Sequence, residues 1–228
     1  TGLHPGHDDI LECAWIITDG SLCEIRRGQT VLHFRRIFPE AVDPFVTEMH
    51  TKNGLWAECE TSVNDLCDLA DVLAGQINST EWVETRPILA GATVHFDRSF
   101  LRHWVPDVER LLHHRHLDVS SLKMALRDVD PNLPKPASSD AHRAMDDIEY
   151  SLGEARNIYA LLADVVIDQA IGAGALAAAQ VTGDFSEIEC SEQDERRYQR
   201  RRLVEVWLRG TRPKEDLEYA ITMVEVPL

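Results

Sequence analysis

The chain has 228 residues, 44% of them hydrophobic, and carries 23 Lys+Arg against 39 Asp+Glu for a net charge of −16. That length fits one domain or one domain with an appendage, and the apolar content excludes a wholly disordered chain. The charge argues against gripping long nucleic acid through a basic surface, because such affinity comes from Lys and Arg displacing counterions; a short or metal-bridged anionic substrate is compatible with it.

Residues 10–18 (I-L-E-C-A-W-I-I-T) are apolar and rich in β-branched side chains, and they end in Asp19-Gly20, which predicts a strand closed by a turn. Residues 23–26 and 30–37 read as two further strands joined at Arg27-Gly28, an antiparallel meander. From Ser62 onward, Val63, Leu66, Leu69, Ala70, Val72 and Leu73 recur on one side of a helix expected to run to about Ile77. Residues 88–91, introduced by Arg86-Pro87, suit a short buried central strand. Helical patterns follow at 96–104 and 120–126, the second reached through strand-like residues 117–119. Residues 131–139 form a loop, and a long helix is expected from near Ala141 to about Ala163. Strands first, then helices alternating with short strands, predict an α/β domain with helices packed on a mixed sheet.

After about Val165 the character changes. Residues 169–183 are uncharged and mostly Ala and Gly, shorter than the ~20 apolar residues of a membrane span. Asp184, Glu187, Glu189, Glu192, Asp194 and Glu195 precede Arg196, Arg197, Arg200, Arg201 and Arg202, the pattern of a solvated helix or linker; an arginine patch for RNA phosphates is the sharper alternative. Residues 203–208 and 217–226 are apolar enough to pack against something, and the extension as a whole is expected to be mostly helical. No basic segment followed by an apolar run marks a secretory leader. Cys13, Cys23, Cys59, Cys67 and Cys190 show no C-x-x-C spacing and read as reduced thiols of a cytoplasmic protein.

Three places carry chemistry. In residues 141–148, His142 and Asp147 stand five positions apart, about 140° around a helix, so they converge only if His142 sits in the loop before the helix and Asp147 one turn inside it. Ser138, Ser139 and Asp140 supply capping groups there. A loop imidazole beside a helical carboxylate suits a base held near a metal-bound water, the bland alternative being a surface His and two acids. Asp97 follows the buried strand and a small-residue turn, either as a site carboxylate or as a first-turn acid favoured by the helix dipole. Residues 117–123 place Ser120 and Ser121 at a helix N-terminus, a plain cap or a seat for an anion.

Taken in this order, the segments resemble the oligoribonucleases, a branch of the DEDDh family of 3′→5′ exonucleases. The resemblance is carried by T-G-L-H-P-G-H-D-D-I-L-E at the start, M-H-T-K-N-G-L at 49–55, F-D-R-S-F-L at 96–101, H-L-D-V-S-S-L-K at 116–123 and H-R-A-M-D-D-I at 142–148. The strings H-T-K-x-G-L and A-M-D-D-I are more typical of this branch than of the proofreading or transfer-RNA-trimming branches. The match covers residues 1 to about 163 and implies a ribonuclease-H-like mixed sheet flanked by helices for 1–164, with 165–228 an extension of unknown role.

The resemblance implies a role for each matching residue. His142 stands at the general base, Asp147 at the last metal-ligating carboxylate and Asp97 at the middle one. Leu3 matches the apolar wedge that stacks on a base, and Thr93 stands where a Ser is usual near the substrate. Ser120 and Lys123 match residues that cap the substrate's 5′ phosphate. His114 replaces a usual Tyr that reaches the partner subunit's active site, and Phe45 a usual Trp. Two Mg²⁺ or Mn²⁺ ions, short single-stranded RNA as substrate, 5′ mononucleotides as product, a homodimer, a cytoplasmic location and no membrane are implied in the same way.

The family's first two ligands form an Asp-x-Glu pair on a strand just before T-G-L, and this chain begins at that Thr. The expectation is an N-terminally truncated domain that lacks its first strand, exposes a sheet edge and is inactive as given. Asp8, Asp9 and Glu12 align past the turn and are not expected to replace the pair. Two alternatives stay open: a DEDDh exonuclease on DNA 3′ ends, and a decayed nuclease domain serving as a protein-interaction module. A zinc site ranks last, since the His and Cys residues show no coordinated spacing.

Overall fold

A computed structural model describes residues 2–33, 42–82, 86–127, 135–136 and 142–162, and the backbone of 221–225. Strand β1 (Glu12–Thr18) is buried along its whole length, as its near-continuous apolar sequence requires of a strand covered on both faces. It pairs antiparallel with β2 (Glu24–Val31) on one side and with β5 (Ile221–Glu225) on the other. Strands β3 (Ile88–Gly91) and β4 (His116–Asp118) pair parallel, and β3 is parallel to β5, which gives a five-stranded mixed sheet in the order β2-β1-β5-β3-β4. Where the sequence predicts a missing strand and an exposed sheet edge, the segment 221–225 lies between β1 and β3 and pairs with both.

Seven described helices surround the sheet: α1 (Pro44–Lys52), α2 (Leu55–Thr61), α3 (Leu66–Asn78), α4 (His95–Trp104), α5 (Pro106–Glu109), α6 (Val119–Arg127) and α7, residues 144–162. The pleat of β1 divides the core in two. Cys13, Trp15 and Ile17 pack with Leu69, Leu73 and Ile77 of α3 and Phe100 and Leu101 of α4. Ala14 and Ile16 pack on the opposite face with Ile148, Leu152, Ala155 and Ile158 of α7 and Val119 of α6.

The elements at 88–91, 95–104, 116–118, 119–127 and 144–162 lie within a few residues of their predicted places. Two others differ. The predicted break at Arg27-Gly28 is absent, because β2 runs straight through it. Gly28 lies opposite Trp15 in the ladder, and a methyl group there would fall inside the indole; the glycine admits a large ring between strands rather than a turn. Trp15 then extends its Nε1–H to Gln76 Oε1 on α3 at 2.9 Å. Gly28→Ala is therefore expected to cost ~1–3 kcal/mol through overpacking, read as a lower urea midpoint at unchanged slope.

The helix predicted from Ser62 starts at Leu66 instead. Ser62 ends α2, Val63 is 92% exposed in the connection, and Asp65 and Asp68 form a reciprocal capping box that fixes the true start. Cys13, Cys23, Cys59 and Cys67 are free thiols. The predicted strand residues 34–37, loop residues 131–134 and 137–139, caps Ser138, Ser139 and Asp140, Cys190, the Ala/Gly stretch, both charge blocks and residues 203–208 lie outside the described residues. Among the described residues no helix is long and apolar enough to cross a membrane.

Candidate active site

The C-terminal end of β3 leads into a turn at residues 92–94 that starts α4 at His95. Thr93 takes a left-handed backbone there, φ 57°, and its carbonyl accepts Phe96 N–H at 3.1 Å. This sharp turn delivers Asp97 into the first turn of α4, where it is 4% exposed. Thr93 Oγ1 lies 3.4 Å from Ser120 Oγ, so the β3–α4 turn meets the first turn of α6 through two hydroxyls.

A second approach comes from α7. His142 precedes the helix in a left-handed backbone, φ 48°, and Asp147 lies in the first turn, its N–H on Arg143 O at 3.1 Å. His142 is thus outside the helix and Asp147 inside it, the arrangement their spacing demands. Burial pushes the Asp147 carboxyl up to about 6, with His142 opposing and the charges of Asp146 and Glu12 adding. Burial also pushes the Cys13 thiol up, with Asp97 and Glu12 adding. Asp97, Asp147 and His142 therefore share the electrostatic neighbourhood of the N-terminal end of β1, where Glu12 and Cys13 sit.

Glu12 is fully buried and already committed. It accepts Arg143 Nη2 at 2.8 Å, Ala144 N–H at 3.0 Å and Gln29 Nε2. Asp8 accepts the His4 N–H at 2.8 Å in the N-terminal turn.

Sequence reasoning assigned no role to His50, although it lies in the M-H-T-K-N-G-L string. It is buried on α1, edge-on to Trp56 with ring centroids 5.8 Å apart, and its Nδ1 has no hydrogen-bond partner. Burial, with Arg143 and His142 adding and Glu12 opposing, lowers its pKa to about 4, so it is neutral at pH 7. The motif was the available signal, and a single buried imidazole inside it was the part passed over.

The remaining predicted residues are spread more widely. Leu3 and Phe45 are exposed apolar side chains, at 44% and 71%. Lys123 Nζ is 2.6 Å from the buried Glu154 carboxylate, so its charge is shared within the chain. His114 stacks on His113, centroids 4.1 Å apart, and lines a cavity of about 670 Å³ with Arg86, Arg98 and Arg102. His113 N–H bonds Pro87 O at 2.8 Å, which puts this turn at the start of β3, the opposite end from the Asp97 turn. Within one chain, His114 does not join Asp97.

Two carboxylates, the buried Asp97 and the half-buried Asp147, offer hard oxygens that suit Mg²⁺ or Mn²⁺, and burial above all, with the charges of Asp146 and Glu12 adding, makes the ionised form of Asp147 costly. Among the described residues, no three His, Cys, Asp or Glu side chains stand together as a ready-made metal cage. Both carboxylates have the donor chemistry such an ion takes.

Comparison with known proteins points the same way. The RNase T exonuclease family model matches residues 1–155. The oligoribonuclease of Mycobacterium leprae is 35% identical over 160 residues, 68% of this chain and 74% of that protein. That of Corynebacterium diphtheriae is 37% identical over 157 residues, 68% and 75% of the two chains. That of Halorhodospira halophila is 31% identical over 159 residues, 69% and 86%.

Proposed function

The chain belongs to the oligoribonuclease family of exonucleases, and from that premise we propose that its site hydrolyses short single-stranded RNA from the 3′ end to 5′ mononucleotides. What supports the reading is the family membership together with the electrostatic influence of His142 and Glu12 on Asp147, and of Asp97 and Glu12 on Cys13, around the N-terminal end of β1. Asp97 and Asp147 would hold Mg²⁺ or Mn²⁺, which when bound supplies neutralisation of the scissile phosphate and acidification of the attacking water.

The chain's own residues do the rest. A ring nitrogen of His142 takes the proton of the attacking water as oxygen bonds to phosphorus and the P–O3′ bond breaks. Leu3, exposed in the N-terminal turn, stacks on a base of the substrate. The hydroxyls of Thr93 and Ser120, at the α6 N-terminus, hold a substrate phosphate, with Lys123 dividing its charge between that phosphate and Glu154. A homodimer, acting in the cytoplasm, brings His114 of one copy towards the substrate of the other.

The 228-residue chain by itself is expected to bind Mn²⁺ weakly and to cleave an RNA dinucleotide at background rate. An Asp-x-Glu strand joined ahead of Thr1 is expected to displace β5 from its place between β1 and β3 and to bring Mg²⁺-dependent cleavage, followed by chromatography of the mononucleotide product. A folded extended protein that leaves the dinucleotide intact overturns the assignment. Faster cleavage of a DNA dinucleotide than of RNA in the same assay moves the substrate to DNA 3′ ends.

A further inference from the structure

We propose that Arg143, with Glu12 and Asn53, is a positioning device that holds His142 in its working backbone conformation; the inference rests on the nuclease reading. His142 has a β-carbon and a φ of 48°, a conformation that persists where its surroundings over-determine it. Residues 142, 143 and 144 are each fastened to another element. The His142 carbonyl accepts Asn53 Nδ2 at 2.9 Å, and Asn53 is itself oriented by accepting Leu55 N–H on Oδ1 at 3.1 Å. The Arg143 guanidinium lies between two carboxylates. Its Nε meets Glu12 Oε1 and Oε2, both at 3.2 Å, and Nη2 meets Glu12 Oε1 at 2.8 Å. Nη1 and Nη2 meet Glu58 Oε1 and Oε2 at 2.9 and 2.8 Å. Ala144 N–H then bonds Glu12 Oε2 at 3.0 Å, so a carboxylate 132 residues away in sequence caps α7.

The location separates positioning from general anchoring. Helix α7 is already seated by Ile148, Leu152, Ala155 and Ile158 in the core, and by Arg156, whose Nη2 and Nε donate to Leu22 O at 2.7 and 3.1 Å. The clamp adds bonds at His142, whose backbone is left-handed, and at the two residues after it. It fixes His142 against β1, which carries Glu12, and against Asn53 in the connection that follows α1, the helix that carries His50. A planar fork gripping two carboxylates is also something a lysine ammonium cannot reproduce.

The test uses Arg143→Lys, the charge-neutral double variant Glu12→Gln with Arg143→Gln, and Asn53→Ala. In the 228-residue chain without metal, the His142 imidazole is expected to give one sharp NMR signal, which broadens or splits in all three variants. In the protein extended by Asp-x-Glu, kcat for the RNA dinucleotide is expected to fall by at least ~10-fold while KM stays within about threefold, the signature of a misplaced reacting group. Arg143→Lys is not expected to restore either readout. A variant with the thermal midpoint, His142 signal and kcat of its parent overturns the clamp. If the double variant fails to fold, Asn53→Ala, which leaves the ion network in place, decides the question. A changed His142 signal in a folded extended protein that never cleaves RNA removes the nuclease reading and leaves the clamp standing.

Discussion

A chain ending at residue 216 is expected to lose its cooperative fold. Strands β1 and β3 share no ladder; each pairs with β5, over Ala14–Glu225, Trp15–Val224, Ile16–Met223 and Ile17–Thr222 on one side and Ile88–Ile221, Leu89–Thr222 and Ala90–Met223 on the other. Ala14, Trp15, Ile16, Ile17, Leu89 and Ala90 are fully buried, so backbone groups released there have no water to meet. Each buried unpaired group costs ~1–3 kcal/mol, and a handful equals the ~5–15 kcal/mol that holds an ordinary domain together. Closing the gap by pairing β1 with β3 directly requires a shift of one strand spacing, ~4.8 Å, with α3 and α7 following on their two faces. Circular dichroism against urea is expected to show no sharp transition, and a peptide of residues 217–228 added in trans is expected to restore one. A shortened chain that melts cooperatively at the parent midpoint removes β5 from the list of structural strands.

That strand also marks where sequence reasoning stops. Its residues are visibly apolar, but pairing is a choice between partners far apart in the chain, and nothing local in 221–225 names Ala14 or Leu89 as neighbours. Gly28 failed for a related reason. Local chemistry reads Arg27-Gly28 as a turn, while the deciding fact is the Trp15 indole across the ladder. The cap of α7 is a third instance, since Ser138, Ser139 and Asp140 offer nearby caps and the described N–H of Ala144 goes to Glu12 on β1.

What was legible depended on short-range pattern. The run I-L-E-C-A-W-I-I-T has the composition of a strand buried on both faces, and the structure buries it. The five-residue step from His142 to Asp147 already demanded that one lie outside the helix, and the positive φ of His142 is how the backbone meets that demand. Helices α1 and α2 were invisible because residues 44–61 carry little apolar periodicity; their ends are set by the Asp43 cap and by the left-handed Gly54, φ 80°. His50 was missed along with α1, since its burial follows from packing against Trp56 rather than from its own neighbours in sequence.

In the protein extended by Asp-x-Glu, His142→Ala and Asp147→Asn are both expected to stop turnover, His142→Ala by ~10²–10⁴-fold as the loss of a positioned base implies. Stability against pH tells them apart. Burial raises the Asp147 pKa from 3.8 to about 6, so the folded chain holds this proton more tightly than the unfolded one. The contribution is therefore fully present below pH 3.8 and lost as pH rises through about 6. Two pKa units correspond to almost ~3 kcal/mol, and partial solvation reduces that to ~1–2 kcal/mol. His50 acts in the opposite sense, because a pKa lowered from 6.5 to about 4 removes stability as pH falls through that window. Subtracting the two chains' curves cancels His50 and leaves Asp147. Without metal, Asp147→Asn is expected to gain on its parent between pH 4 and 7, whereas His142→Ala, which removes the group opposing the Asp147 shift, is expected to keep the direction of the profile and move it to higher pH. Mg²⁺ or Mn²⁺ occupies the place of the proton, so it is expected to raise the midpoint of the parent and of His142→Ala above about pH 6 and to leave Asp147→Asn unmoved. Coincident parent and Asp147→Asn curves at every pH place this carboxylate in open solvent and take it out of the metal site.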